Sequence, residues 1–259
     1  MRTTKACSPA GNTTGHGAEN LGIFMASRPI FISSSTGPTL VDTRYIDFKW
    51  FPGLSASQKQ KSVESLHLAA EDQIPSLTEV LEVSSKSKLA LGIALSAFNL
   101  TITTLKNNLT FSVECAFQGS KVFEEGGPYR DIFGMTSREA KKDERLRSSG
   151  RLTGFQFFGT EWPLEPKTAF YDWLYINALK KHPEVASQLS SYSAFTDIEF
   201  NPERSINCQA YSVALYIALE KRGLLDKAVS SKEAFLEIIT GAEISNSHRD
   251  DTIQGDLLI

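Results

Sequence analysis

The sequence predicts an α+β fold, with one helix-rich domain and a few short strands. Several long segments repeat their apolar residues with the 3.6-residue period of a helix, whereas runs of β-branched and aromatic residues are short. The chain has 259 residues, 41% of them hydrophobic and 10% aromatic, so it can bury a sizeable core. We find no internal repeat and no shift in composition that would mark a second folded domain.

Charge and cysteine content narrow the classes of function. The formal net charge of −3 provides no broad basic field, so contact with nucleic acid must use a local pocket. Cys7, Cys115 and Cys208 lack metal-type spacing, and neither His67 nor His182 joins a cluster of ligand-type residues. We therefore expect no metal and no cofactor. Reduced cysteines, and the lack of an apolar run near the ~18 residues of a membrane span, predict a cytoplasmic protein without a membrane partner.

The composition predicts one domain between two tails. Residues 1–25 are rich in Gly, Thr, Asn and Ser without periodicity, which indicates a disordered N-terminal tail. The domain is predicted to span residues 26–241, and residues 242–259 are predicted to form a flexible C-terminal tail.

The domain is predicted to begin with a strand, a turn and a helix. Residues 29–33 predict the strand and residues 48–53 an aromatic turn. Ser55-x-x-Gln58 then predicts a capping box for a helix that ends near residue 70.

Residues 81–87 predict a strand that runs into a serine-rich loop. Ser84 and Ser85 would offer hydroxyls and amides to phosphate or sugar oxygens, with Lys86 as the cation. The alternative is a solvated turn. Residues 101–105 predict another strand, and a hairpin follows at residues 106–108.

Residues 111–123 predict a mostly buried helix with one narrow polar stripe. At 100° per residue, Glu114, Gln118 and Lys121 fall on one line, and nearly every other position is apolar or small. A buried charge must be paired or face a wet cavity, because burying a lone charge costs too much free energy. The stripe therefore indicates either a structural Glu114–Lys121 pair across two turns or the wall of a pocket.

The second half of the domain predicts further helices around a polar loop. Asp197, Glu199, Asn201 and Asn207 lie in this loop, residues 195–207, which is either a hydrogen-bonded structural knot or a site. Asn207 is predicted to cap the helix that follows. The other predicted segments are a charged helix or phosphate grip at 138–151, a strand at 155–159, a rigid turn at 162–166, and helices at 170–181, 183–192, 208–222 (ended by Gly223) and 232–239.

Three segments of the chain, at residues 96–100, 114–121 and 197–219, resemble the motifs of one protein family. Glu114-x-x-x-Gln118-x-x-Lys121 resembles the E-x-x-x-Q-x-x-K helix of the NADAR (YbiA-like) N-glycosidases. Residues 96–100 (Ser-Ala-Phe-Asn-Leu) resemble their FSNF segment. The acidic residues, asparagine and apolar helix of residues 197–219 resemble their C-terminal motif.

Longer phrases resemble the branch of that family that accompanies DarT-type DNA ADP-ribosyltransferase toxins as antitoxins. The chain departs from the wider family in two places. Phe200-Asn201 replaces a Trp-Gly pair, and both Trp162 and Trp173 are candidates for a mid-chain catalytic tryptophan. The phrases lie at residues 82–87, 117–124, 170–175 and 195–202, within a resemblance that runs from residue 28 to residue 241.

The resemblance implies an enzyme that hydrolyses the N-glycosidic bond between ADP-ribose and the guanine base of DNA. It would release ADP-ribose and act as antitoxin to a DarT-type toxin. Such cleavage builds positive charge on the ribose, which a carboxylate stabilises while it activates water. We expect Glu114 in that role, with Asp197 or Glu199 as second carboxylate. Lys86 or Lys121 would protonate the leaving base or trap the opened sugar as a Schiff base, and Lys86 is preferred for the Schiff base.

Other residues are expected to bind the substrate. Gln118, Asn99 and Asn207 would hold ribose hydroxyls, and an aromatic side chain would stack on a base. The full set expected to contact substrate is Ser84, Ser85, Phe98, Asn99, Gln118, Lys121, Trp162, Trp173, Asn201 and Asn207.

Two other functions fit the sequence. One is a riboflavin-pathway-like N-glycosidase that acts on a free small molecule. The other is a non-catalytic module that binds ADP-ribose or silences a toxin by contact. Turnover separates the enzymes from the binder, because a binder protects only at stoichiometric amounts.

Overall fold

Small β-sheets and packed helices form the fold in the computed structural model, which describes residues 24–242. This arrangement confirms the predicted α+β class. The predicted tails at residues 1–23 and 243–259 lie outside the described residues. The first strand begins at Phe24, two residues inside the predicted N-terminal tail.

The strands and helices of residues 24–242 are numbered in chain order. The strands are β1 (Phe24–Ser33), β2 (Val41–Trp50), β3 (Val80–Glu82), β4 (Thr101–Thr103), β5 (Thr110–Ser112), β6 (Lys121–Phe123), β7 (Leu152–Phe157), β8 (Thr160–Trp162) and β9 (Ala194–Thr196). The helices are α1 (Ala56–Gln73), α2 (Ala90–Ala94), α3 (Val113–Gly119), α4 (Ser137–Ala140), α5 (Arg145–Ser148), α6 (Ala169–Lys180), α7 (Pro183–Ala186), α8 (Gln209–Lys221), α9 (Leu225–Ser230) and α10 (Lys232–Gly241), with 3₁₀ turns at Arg130–Gly134 and Ser187–Ser191.

A four-stranded sheet with the order β2-β1-β9-β3 supports the polar loop and the serine-rich loop. β1 and β2 are antiparallel over ten residue pairs, whereas β9 runs parallel to β3. The sequence prediction of a turn at residues 48–53 is wrong at its start, because Phe48 and Trp50 complete β2. Phe48 is buried with Ile30 and Leu66 of α1, so burial keeps this segment in the sheet.

The helix α1 begins as predicted but keeps only half of the capping box. Ser55 Oγ accepts a hydrogen bond from the Gln58 backbone N–H at 3.3 Å. Gln58 Oε1 is buried without a hydrogen-bond partner among the described residues. The helix continues to Gln73, three residues beyond the predicted end.

The central helix is shorter than predicted. α3 ends at Gly119, and Lys121 begins β6, so Lys121 does not share the helical stripe. Lys121 pairs with Phe155 of β7, which draws the chain into an extended conformation. Gly119 also lies against Phe133, where a Cβ would approach the ring to 2.6 Å, so only glycine fits without a shift.

Two helices, α6 and α8, form the buried centre behind the polar loop. Cys208, and not Asn207, is the N-cap of α8, and it makes no side-chain capping bond. The predicted Asn207 cap is therefore wrong. Gly223, with φ 66°, follows the helix end as predicted, because a left-handed residue there favours glycine. None of the helices between residues 24 and 242 combines the length and apolar character that crossing a bilayer requires.

Asp172 is buried where α6 meets α8. Its carboxylate accepts hydrogen bonds from Thr168 Oγ1 at 2.7 Å and Ser212 Oγ at 2.6 Å. Burial raises the pKa of Asp172 to about 7, although both bonds act to lower it. Because the unfolded carboxyl titrates near pH ~4, the native state holds an extra proton between pH ~4 and ~7. The Asp172 contribution to stability therefore falls as the pH rises through this window.

The substitution Asp172→Asn is expected to remove this pH dependence. The amide stays neutral, so the unfolding free energy of the variant relative to wild type should rise by about 2–3 kcal/mol between pH 5 and pH 8. Denaturant unfolding at both pH values measures the change. Asp47→Asn, at an exposed carboxylate, is the matched control. A difference that stays constant with pH would show that Asp172 does not hold the proton.

Candidate active site

Glu114 lies in the first turn of α3, in a buried position. Ser112 caps this helix by accepting a hydrogen bond from the Cys115 backbone N–H at 3.1 Å. The Glu114 backbone N–H donates to Ala97 O at 2.9 Å, which attaches the helix start to the segment after α2. The Glu114 side chain is thereby fixed at the edge of the core, with the residue 7% exposed.

Gln118 is the direct partner of Glu114. Its Nε2 donates to Glu114 Oε1 at 3.0 Å, one helical turn away, as the predicted stripe requires. Gln118 Oε1 is buried and has no hydrogen-bond partner among residues 24–242. Buried polar atoms are nearly always satisfied, so an orphaned acceptor next to a carboxylate indicates a place for a ligand donor.

Lys121, at the start of β6, lies against α3. Its Nζ lies 5.1 Å from the centroid of the Phe117 ring, a cation–π arrangement. Burial lowers the pKa of Lys121 to about 8, Glu114 opposes the shift, and Lys141 adds to it. Within the described part of the chain, Lys121 and Glu114 form no direct ion pair, so the structural-pair interpretation of the stripe does not hold.

Asp197 approaches from the loop between β9 and α8. Its Oδ1 accepts from the Glu199 backbone N–H at 3.0 Å, and its carboxylate is hydrogen-bonded to the Gln209 side chain. Gln209 Oε1 in turn accepts from the Ala97 backbone N–H at 2.8 Å. Burial raises the pKa of Asp197 well above its usual range, and the Glu82 carboxylate raises it further.

Tyr171 is a buried residue of α6 that packs against α3. Its ring packs edge-on against Phe117, with 5.2 Å between ring centroids. Burial raises the pKa of Tyr171, and the negative charges of Glu114 and Asp197 raise it further. Gln118 thus contacts Glu114, Lys121 lies against Phe117, and the charges of Glu114 and Asp197 both act on the buried Tyr171.

Glu82, which sequence reasoning left without a role, joins the serine-rich loop to the polar loop. Its carboxylate accepts hydrogen bonds from Ser84 Oγ, from Thr196 Oγ1 at 2.7 Å and from the Ile198 backbone N–H at 2.9 Å. Burial raises the pKa of Glu82 to about 7. His67 Nε2 is 2.8 Å from Thr196 Oγ1, and burial lowers its pKa to about 4, so this histidine is neutral.

The serine-rich loop places its polar groups in different surroundings. Ser84 is buried, and its hydroxyl donates to Glu82 and accepts from the Lys86 backbone N–H at 3.1 Å. The Ser84 hydroxyl therefore serves the protein itself. Ser85 is exposed and Lys86 is half-buried, so both remain open to a ligand.

Glu199 and Asn201, in the outer part of the polar loop, contact other residues of the protein. Glu199 forms an ion pair with Lys59 Nζ at 3.2 Å, and Lys59 lies 4.9 Å from the Trp50 ring. Lys59 therefore holds Glu199 against the start of α1. Asn201 Oδ1 accepts from the Glu203 backbone N–H at 3.0 Å. Glu199 and Asn201 are thus engaged within the protein, whereas Asn207 is half-buried beside Cys208.

The aromatic candidates differ in accessibility. Phe98 is half-buried, and Lys141 Nζ lies 5.5 Å from its ring centroid. Asn99 is exposed, with Nδ2 donating to Ile93 O at 2.8 Å. Trp162 is 2% exposed and packs against Trp173 with 5.1 Å between ring centroids. Trp162 thus has no open face for a base.

Metal-ligating residues do not gather here. Between residues 24 and 242, no group of three or more His, Cys, Asp or Glu side chains is placed to hold a metal ion. Cys115 and Cys208 are free thiols, and both are buried.

A comparison with protein families gives one match. The family model described as DarT1-associated NADAR antitoxin matches residues 26–249. The matched residues include every candidate in the pocket and both loops joined by Glu82. A comparison with curated proteins finds no match.

Proposed function

The chain belongs to the DarT1-associated NADAR antitoxin family, and from this membership we propose that it hydrolyses the N-glycosidic bond between ADP-ribose and a guanine base of DNA. The products are ADP-ribose and restored DNA. This activity reverses the action of a DarT-type toxin, which is the proposed cognate partner.

One observation carries the proposal: the pair of Glu114 and Gln118 in a buried slot. Glu114 supplies a carboxylate, and Gln118 supplies an acceptor oxygen that has no hydrogen-bond partner in the described part of the chain. A carboxylate beside a hydroxyl acceptor suits a ribose ring that gains positive charge as its C1–N bond breaks.

The proposed chemistry assigns different roles to the two carboxylates. As the C1–N bond breaks, its electron pair leaves with the guanine nitrogen, which needs a proton. Asp197 suits the role of donor, because burial and the Glu82 charge raise the pKa of its carboxyl and so favour the protonated form. Glu114 stabilises the positive ribose. It also takes a proton from the water that finally bonds to C1, whether this water attacks the ribose directly or hydrolyses an imine between C1 and a lysine amine.

The test is turnover of an oligonucleotide that carries one ADP-ribosylated guanine, in buffer with a chelator. With the substrate in 100-fold excess over protein, we expect complete conversion to unmodified DNA and free ADP-ribose, followed by mass spectrometry. In ¹⁸O-labelled water, the label should appear in the released ADP-ribose.

Three other outcomes would contradict the proposal. Protection of the DNA at a one-to-one ratio only would indicate a non-catalytic binder. Turnover of a free riboflavin-pathway intermediate, with the oligonucleotide left intact, would indicate a metabolic N-glycosidase. Activity that is lost to the chelator and restored by zinc or magnesium would contradict the metal-free chemistry.

A further inference from the structure

A short basic segment borders the candidate site. α4 and the turn after it carry Arg138, Lys141 and Lys142, all of them exposed; we call these three residues the basic ledge. Ser137 Oγ attaches the segment to the site by donating to Phe98 O at 2.9 Å and to Ser112 Oγ at 2.7 Å. Ser112 caps α3, so the ledge and the catalytic helix share an anchor.

The acidic residues within this segment are held by other groups. Glu139 accepts from the Thr136 backbone N–H at 2.9 Å and from Thr136 Oγ1 at 2.7 Å. Asp143 forms an ion pair with Arg145 at 2.7 Å, and Arg145 also pairs with Asp131 at 2.6 Å. Across residues 24–242, by contrast, no carboxylate forms an ion pair with any of the three ledge cations.

Lys141 links the ledge to the candidate site. Lys141 Nζ is 5.5 Å from the Phe98 ring centroid, and its charge acts on Lys121. Arg138 and Lys142 of the ledge line a surface cavity of about 580 Å³ together with Met135, Glu139 and Asp143, whereas Lys141 lies over Phe98. Unpaired cations along a concave surface, next to a half-exposed ring, are typical of a groove that holds a nucleic-acid backbone.

We propose that the basic ledge binds the phosphates of the DNA strand next to the modified guanine. This inference rests on the proposed function and identifies how the same site selects a base within a strand. The ledge exposes no large apolar side chain: in the described chain those side chains lie elsewhere, at Leu105, Leu109 and Phe158 among others. A protein partner would need an apolar centre for its interface, so the ledge fits a polyanion better than a toxin surface.

The test uses the double variant Arg138→Ala/Lys142→Ala and two substrates. One substrate is an ADP-ribosylated guanine within a single-stranded oligonucleotide, and the other is the same adduct on a single guanosine. We expect kcat/KM to fall at least about tenfold further on the oligonucleotide than on the nucleoside, mainly through KM. The slope of log(kcat/KM) against log[salt] should decrease by roughly one to two, since each lost phosphate contact removes about 0.7.

Lys221→Ala is the matched control. Lys221 is exposed at the far end of α8, about 18 Å along the helix axis from Gln209 at the site. Its removal should change neither the substrate ratio nor the salt slope. Equal losses on both substrates for the ledge variant would overturn the inference. Unchanged kinetics of the ledge variant would also overturn it. If that variant nevertheless fails to neutralise the toxin in cells, the ledge serves a protein contact instead.

A binding measurement separates this inference from the proposed function. Fluorescence anisotropy with an unmodified labelled oligonucleotide should show weaker, less salt-dependent binding for the ledge variant than for Lys221→Ala. If the wild-type protein turns over neither substrate, the proposed function is contradicted. The anisotropy difference would then still support DNA binding by the ledge. Equal anisotropy for both variants would overturn it.

Discussion

Replacement of Glu114 by glutamine is expected to lower kcat by 10²–10³ while fold and ADP-ribose binding stay close to wild type. The amide keeps the shape of the side chain and can still accept from Gln118 Nε2, whose bond to Glu114 is 3.0 Å. Only the negative charge that opposes the positive ribose is lost. Loss of one preorganised stabilising group typically costs on the order of 3–4 kcal/mol in the transition state.

Steady-state kinetics on the ADP-ribosylated oligonucleotide measure this effect, with calorimetry for ADP-ribose binding. Glu220→Gln, at an exposed position of α8, is the matched control and should retain full activity. Activity of Glu114→Gln within about threefold of wild type would remove Glu114 from the catalytic step. Unfolding of the variant at lower temperature, with lost binding, would assign Glu114 a structural role.

Replacement of Lys121 by methionine is expected to reduce kcat by about 10² and to change the pH profile. The sequence favours Lys86, in the serine-rich loop, as the amine that traps the opened ribose. In the structure, burial lowers the pKa of Lys121 to about 8, and Glu114 is its neighbour. About a tenth of this amine is neutral at pH 7, so it is the better nucleophile.

The wild-type rate should rise as the pH increases toward about 8, because deprotonation makes the Lys121 amine available. Lys121→Met should lack this rise, and Lys86→Met should retain it. Borohydride during turnover reduces an imine between the amine and C1 of the opened ribose, and peptide mapping locates it. An adduct on Lys86 would reverse the assignment. Normal turnover without an adduct would leave direct attack by water held at Glu114.

The local part of the site could be predicted from sequence, and the rest depends on contacts between distant segments. Glu114 and Gln118 are four residues apart on one helix, so their contact follows from helical spacing and is confirmed. Lys121 could not be placed in the same way. The helix ends at Gly119, and the strand pair with Phe155 lies more than thirty residues away in the chain.

The role of Glu82 could not be predicted from sequence either, because its partners are also distant in the chain. In the sequence it precedes two serines, which suggested only a polar loop. Its deciding partners are Thr196 and Ile198, at sequence separations of 114 and 116 residues. They come within reach because β9, a strand of three residues, pairs parallel to β3. A strand this short carries too little periodicity to be recognised before the sheet is known.

The unpaired oxygen of Gln118 has a consequence for the safety of the DNA strand itself. Among the described residues Gln118 Oε1 has no donor, which costs free energy that a sugar hydroxyl would return, so under the proposed function the site would discriminate between sugars that differ by one oxygen. The ribose of the attached ADP-ribose carries a 2′-hydroxyl, whereas the deoxyribose of the strand does not. A pocket built on this difference would cut the modification from the base and leave the base on its own sugar.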